Sequence, residues 1–135
     1  MQTADFLLYY ICLEKNGTVR SLKGSDLFMK LTKESIKHNV AWKGYRLPQY
    51  DIDAVREATH KAPTWLHFGA GNLFRAFPAV LAQRLLTAGL SDTGIICCDG
   101  YDEELIDRCY RACDHLSLVV TLYSNGTINK EVVAS

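Results

Sequence analysis

The chain has 135 residues, its 15 Lys and Arg are balanced by 15 Asp and Glu, and 48% of its residues are hydrophobic. That is enough for one small globular domain, without the basic excess that marks a nucleic-acid or membrane-surface partner. No apolar run is long enough to cross a bilayer, and the early D-F-L-L-Y-Y-I-C-L lacks the basic flank and small-residue cleavage site of a signal peptide.

Residues 1–28 begin with that apolar patch and continue through N-G-T and K-G-S-D with no sustained period. They read as an N-terminal extension, with Met29 the older start of the reading frame. Met29 opens M-K-L-T-K-E-S-I-K-H, where Thr32 and Ser35 give a partial helix cap. Leu47-Pro48 reads as extended, and Asp53 is expected to cap a short helix through Ala58. Residues 29–62 thus form an N-terminal arm with short helices.

Pro63 breaks the chain before a short buried strand, Trp65–Phe68. Gly69-Ala70-Gly71 follows, then a helix with Phe74, Phe77, Val80, Leu81, Leu85 and Leu86 on one face and Gly89 closing its end. The segment 93–98 reads as a second buried strand ending at Asp99-Gly100. Asp102 to Cys113 is a helix with acids at its start and Arg108 and Arg111 near its end. Segment 116–123 is a third strand, Asn125-Gly126 a hairpin turn, and 128–134 a fourth strand. This order predicts an α/β domain over 63–135: a partial, Rossmann-type dinucleotide-binding fold with parallel strands, a β-hairpin extension and the N-terminal helical arm.

The strand-to-helix junction carries the chemistry. A helix start leaves backbone N–H groups unpaired, which suits an anion. Gly69 permits the tight turn, and Gly71 lets a pyrophosphate approach the backbone. Phe74 occupies the place of the third glycine of G-x-G-x-x-G, and Arg75 is placed to pair with a phosphate or with the protein itself. Asp99 ends the second strand at roughly the spacing of a ribose-binding acid. The competing reading is that the two glycines only shape a tight loop and that Asp99 only begins the next turn. His67 reads as a hydrogen-bonded core histidine. The five cysteines, Cys12, Cys97, Cys98, Cys109 and Cys113, offer no C-x-x-C pair, so no metal is expected and they read as reduced thiols of a cytoplasmic protein.

The stretch W-L-H-F-G-A-G-N-L-F-R-A-F resembles the cofactor turn of the mannitol dehydrogenase family, the long-chain polyol and hexuronate dehydrogenases that include fructuronate and tagaturonate reductases. His67, Phe68, Gly69, Gly71, Arg75 and Ala76 match the family turn. Phe74 departs from the polyol branch, in which many members carry histidine there, and looks closer to hexuronate reductases. The earlier L-P-Q-Y-D and the later L-S-L-V-V-T-L-Y-S-N-G-T-I-N-K-E-V-V-A-S extend the resemblance from about Met29 to the end. It implies NAD as cofactor, with Gly69, Ala70, Gly71, Asn72, Leu73, Phe74 and Arg75 along the pyrophosphate and Asp99 on the adenosine ribose. It also implies a sugar acid or polyol as small-molecule substrate. The family's catalytic lysine and its asparagine and histidine helpers belong to a helical domain absent from these residues, so no catalytic residue is assigned and the chain reads as a fragment prone to self-association. A non-catalytic nucleotide-binding remnant, or a truncated product without activity, is the alternative.

Overall fold

The computed structural model describes residues 7–9, 18–19, 29–38 and 40–134. Its spine is the hairpin of β6 (Ser117–Leu122) and β7 (Ile128–Val133), antiparallel in the register Ser117↔Val133 to Leu122↔Ile128. The Asn125-Gly126 turn forms as expected. Gly126 has φ +82°, its N–H bonds the Tyr123 carbonyl at 2.9 Å, and Asn125 Oδ1 accepts from the Thr127 N–H. A short strand β1 (Leu7–Tyr9), from the apolar patch near the start of the chain, pairs antiparallel with the far side of β6. Within the rest of the first 28 residues only β2 (Thr18–Val19) is described, pairing with β3 (Met29–Lys30). Cys12 and Asn16 lie outside the described residues.

Alternation along the hairpin divides the interior into two cores. Leu118, Val120, Val132 and Ala134 pack with Leu31, Ile36, Trp42, Cys113 and Leu116. Val119 and Val133 point the other way, to Ala70, Phe74, Ala79, Val80, Ala82, Ile95, Cys109 and Tyr110. Burial on both faces is why 116–122 reads as a nearly continuous apolar run.

The arm adds α1 (Lys33–His38), started by the Thr32 Oγ1 that accepts the Ser35 N–H, and α2 (Ile52–Lys61). The α2 cap is Asp51, not Asp53. Asp51 has extended backbone, and its Oδ1 accepts from the Asp53 and Ala54 N–H groups at 3.0 and 3.1 Å. Asp53 lies within the first turn and pairs with Lys33. The helix also outruns Ala58, because the pre-proline restriction falls on Ala62 rather than earlier.

β4 (Leu66–Phe68) and β5 (Ile96–Cys98) pair parallel, Leu66↔Ile96 to Phe68↔Cys98. The crossover between them is two helices rather than one, α3 (Asn72–Ala76) and α4 (Pro78–Thr87). Pro78 cannot donate to a carbonyl one turn back, so it begins a new helix at its first position. The turn at Phe77 rotates the apolar stripe: Phe74, Val80 and Leu86 are buried, whereas Phe77, Leu81 and Leu85 are exposed and Ala79, Ala82 and Gln83 point inward. Gly89, at φ +66°, does close α4. β4 is not the buried strand the sequence predicts, since Leu66 is 57% and Phe68 80% exposed. Among the described residues β5 is its sole strand partner.

β5 begins at Ile96 rather than Thr93 because the preceding residues bond elsewhere: the Gly94 N–H to Thr59 Oγ1 at 2.8 Å and Thr93 Oγ1 to Thr64 Oγ1 at 2.8 Å. α5 (Glu103–Cys109), capped by Asp102, gives way to a 3-10 turn at Arg111–Cys113 instead of running on to Cys113. Asp114 and His115 then adopt φ of 50° and 57° and turn the chain into β6. Among the described residues the molecule is a mixed α/β structure with one parallel strand pair; β6 joins the antiparallel sheet and not β5.

Candidate functional site

The parallel ladder runs one residue past β4, with the Gly69 N–H on the Cys98 carbonyl at 2.8 Å. Gly69 then takes φ +103°, a region that an L side chain rarely adopts. Ala70, fully buried, is gripped from two sides. Its N–H donates to Asp99 Oδ2 at 2.9 Å, and its carbonyl accepts from the Tyr110 hydroxyl at 2.6 Å. Gly71 is the N-cap of α3 and brings no side-chain cap, so the first amides of that helix have no side-chain acceptor from the cap position.

The two glycines have different physical reasons. Gly69 is needed for its positive φ. Gly71 has φ −72° and ψ −172°, open to any residue, and a Cβ built on it meets no protein atom within 4 Å. Neither backbone strain nor packing inside the protein calls for glycine at position 71, and the space beside it is open.

Asp99 closes the other wall. Its Oδ1 accepts from the Tyr101 and Asp102 N–H groups at 3.0 and 3.2 Å, while Oδ2 takes the Ala70 amide. These backbone amides, Ala70 first, hold the carboxyl below the ordinary 3.8 of an aspartate. A carboxylate offers about four lone-pair positions, so one on Oδ2 remains for a further donor. Asp99 therefore does begin the next turn, and it also ties that turn to the glycine loop.

The remaining predicted residues divide. Asn72 and Leu73 are exposed beside the turn, Leu73 at 78%. Phe74 fills the inner side, its ring 4.7 Å from that of His67. His67 is partly buried and belongs to neither core, so what it makes here is a ring contact and not the hydrogen-bonded core position expected of it. Arg75 is only 4% exposed. Its Nη2 donates to Asn72 Oδ1 at 2.6 Å, and its guanidinium carbon lies 5.6 Å from the Tyr110 ring centre. Tyr110, which sequence reasoning missed, thus supports both the loop carbonyl and the arginine. Its only sequence signal is an aromatic residue with a polar tip among the helix's inner positions, which does not name its partner. The Cys97 thiol lies 3.6 Å from the Gly69 carbonyl, and burial pushes it up to about 11, so it stays protonated. Among the described residues no three His, Cys, Asp or Glu side chains gather as a metal site, and no helix is long and apolar enough to cross a membrane.

Comparison with known proteins gives one relative of direct use. The chain is 43% identical, over 109 residues, to the D-mannonate oxidoreductase of Thermotoga maritima. The match covers 79% of this chain and 20% of that protein, so the chain spans about a fifth of the relative's length. No protein-family model and no solved structure matches.

Proposed function

Because the chain belongs to the mannitol dehydrogenase family, we propose that it is the cofactor-binding part of an NAD-dependent oxidoreductase acting on a hexuronate or polyol. Mannonate is the favoured substrate, from the name of the relative. The fold in this reading is a partial Rossmann domain whose parallel pair, β4 and β5, carries the dinucleotide turn at its C-terminal end.

The observation that carries the reading is Gly71, a glycine that the protein's own backbone and packing do not require. A pyrophosphate seated against the loop gives the missing reason, since a methyl group there would hold it off the α3 amides. The residues present fit such a group. Ala70 is fixed by Asp99 and Tyr110 before any ligand arrives, and Asp99 keeps one acceptor position for a ribose hydroxyl. Asn72 and Leu73 border the same space, with Phe74 and Arg75 bracing the turn from inside. When bound, the nicotinamide supplies hydride transfer. The chain's own residues bind and orient; none is assigned the proton transfer at the sugar's hydroxyl oxygen that accompanies it.

The test is ligand-observed saturation-transfer NMR with NAD and NADP, which tolerates weak binding. Saturable transfer to the adenosine ribose protons of NAD, reduced for NADP, is expected. Transfer to neither dinucleotide would contradict the proposal.

A further inference from the structure

The tip of the β6–β7 hairpin carries a reactive pair for which the dinucleotide turn has no use. Asn125 and Gly126 are both exposed, just beyond the last ladder pair, Leu122↔Ile128. Asparagine is thermolabile, because its carboxamide carbon is open to attack by the backbone nitrogen of the next residue. Here the next residue is glycine, so no side chain crowds that nitrogen, and a Cβ built on Gly126 meets nothing within 4 Å. The Thr127 N–H donates to Asn125 Oδ1 at 2.9 Å. That bond turns the carboxamide forward along the chain, on the side where the Gly126 nitrogen lies, and draws electron density from Cγ.

Two bonds hold the turn closed. The Gly126 N–H donates to the Tyr123 carbonyl and the Tyr123 N–H to the Thr127 carbonyl, each at 2.9 Å. Only the first occupies the attacking nitrogen, and it lies at an exposed tip, where local opening is cheapest. The other described asparagines are placed differently. Asn129 lies within β7, opposite Thr121, and is followed by Lys130. Asn72 begins α3, its Oδ1 takes the Arg75 Nη2 at 2.6 Å, and Leu73 follows it. In both, the nitrogen that would attack belongs to a residue with a large side chain.

We propose that Asn125 is a site of spontaneous deamidation. The Gly126 nitrogen loses its proton to solvent and bonds to Asn125 Cγ. The Cγ–Nδ2 bond breaks, ammonia leaves with a proton taken back from solvent, and a five-membered imide remains. Water then adds to one of the two imide carbonyls and breaks its bond to nitrogen. Opening at Cγ gives aspartate. Opening at the main-chain carbonyl gives isoaspartate, whose backbone runs through Cβ and Cγ and is longer by one atom. No electrons change hands. Either product puts a carboxylate at the tip, and isoaspartate also upsets the spacing of both turn bonds. The hairpin carries a core on each face, so the change falls on the element that the two cores share.

The test holds the whole chain at mildly alkaline pH, once folded and once unfolded in guanidinium chloride. Tandem mass spectrometry then follows each asparagine separately. In the folded chain Asn125 is expected to become aspartate and isoaspartate at a rate within about tenfold of the unfolded one, since a single exposed turn bond has to open. Asn129 should be slowed far more, because the ladder must open first. Three results would each overturn the proposal: an Asn125 that stays intact in the folded chain while the unfolded chain converts it, aspartate without isoaspartate, or folded-state conversion of Asn129 as fast as that of Asn125.

Discussion

A methyl group added at Gly69 and one added at Gly71 meet different physics, and that contrast gives the sharpest residue-scale expectation. At Gly69 the φ of +103° strains any L side chain, so Gly69→Ala should cost about 1–3 kcal/mol in denaturant unfolding. At Gly71 the backbone is ordinary and the space empty, so Gly71→Ala should leave stability within about 1 kcal/mol. Asp99 needs a gentler change than alanine, which would strip the acceptor from three backbone amides. Asp99→Asn retains one acceptor oxygen and removes the charge that repels a 2′-phosphate. The NAD-over-NADP affinity ratio should fall in that variant; an unchanged ratio would leave Asp99 as a turn staple alone. The depressed carboxyl also sets a pH dependence. Its stabilisation is fully present above the ordinary 3.8 and is lost as pH falls through the lower folded value. The melting temperature of wild type should therefore fall below about pH 4 more steeply than that of Asp99→Asn. The glycines and Asp99 were legible in the sequence because turn chemistry is local. The Ala70–Asp99 bond and the Tyr110 support were not, because each joins residues 29 or 40 positions apart.

At the scale of elements, the strands of the hairpin and the helices α1, α2 and α5 followed from period and punctuation, whereas α3 and α4 read as one helix. The errors lie where one local signal overruled a longer pattern. The apolar period runs unbroken from Phe74 to Leu86, yet the missing N–H of Pro78 resets the helix phase and exposes half of the expected stripe. Asp51 takes the cap from Asp53 because its backbone is the extended one. Gln83 shows what no period predicts. The outer edge of β7 is sealed at Lys130 and Val132 by the backbone of Arg46, whose N–H and carbonyl both pair at 2.8 Å, and at Val132 and Ala134 by the Gln83 amide. A side-chain amide stands in for the peptide group of an absent strand. Gln83→Leu matches the shape and removes all four hydrogen bonds of the amide, so a loss of about 3 kcal/mol or more is expected in urea unfolding. A loss below about 1 kcal/mol would show that water replaces the amide at that edge.

For the whole molecule, the two cores account for the hairpin and its covering helices, but they leave the parallel pair thinly covered. Trp65, Leu66 and Phe68 on and beside β4, with Leu73, Phe77, Leu81 and Leu85 on and between α3 and α4, are all exposed. A strand with a free edge and apolar side chains on view is an association hazard. The sequence identified β4 as core-type by composition, and it could not show that nothing among these residues covers it. The 135-residue chain is expected to self-associate in sedimentation velocity. A monodisperse monomer would contradict that expectation.

In the dinucleotide reading Gly71 is glycine for a ligand's sake. The direct measurement sets wild type and Gly71→Ala side by side, with thermal melting of each and saturation transfer from each to NAD. Superimposable melts are expected, with a signal on the adenosine ribose protons of NAD that is strong for wild type and lost for the variant. Equal transfer from both proteins would show that the turn is a chain reversal and not a dinucleotide site.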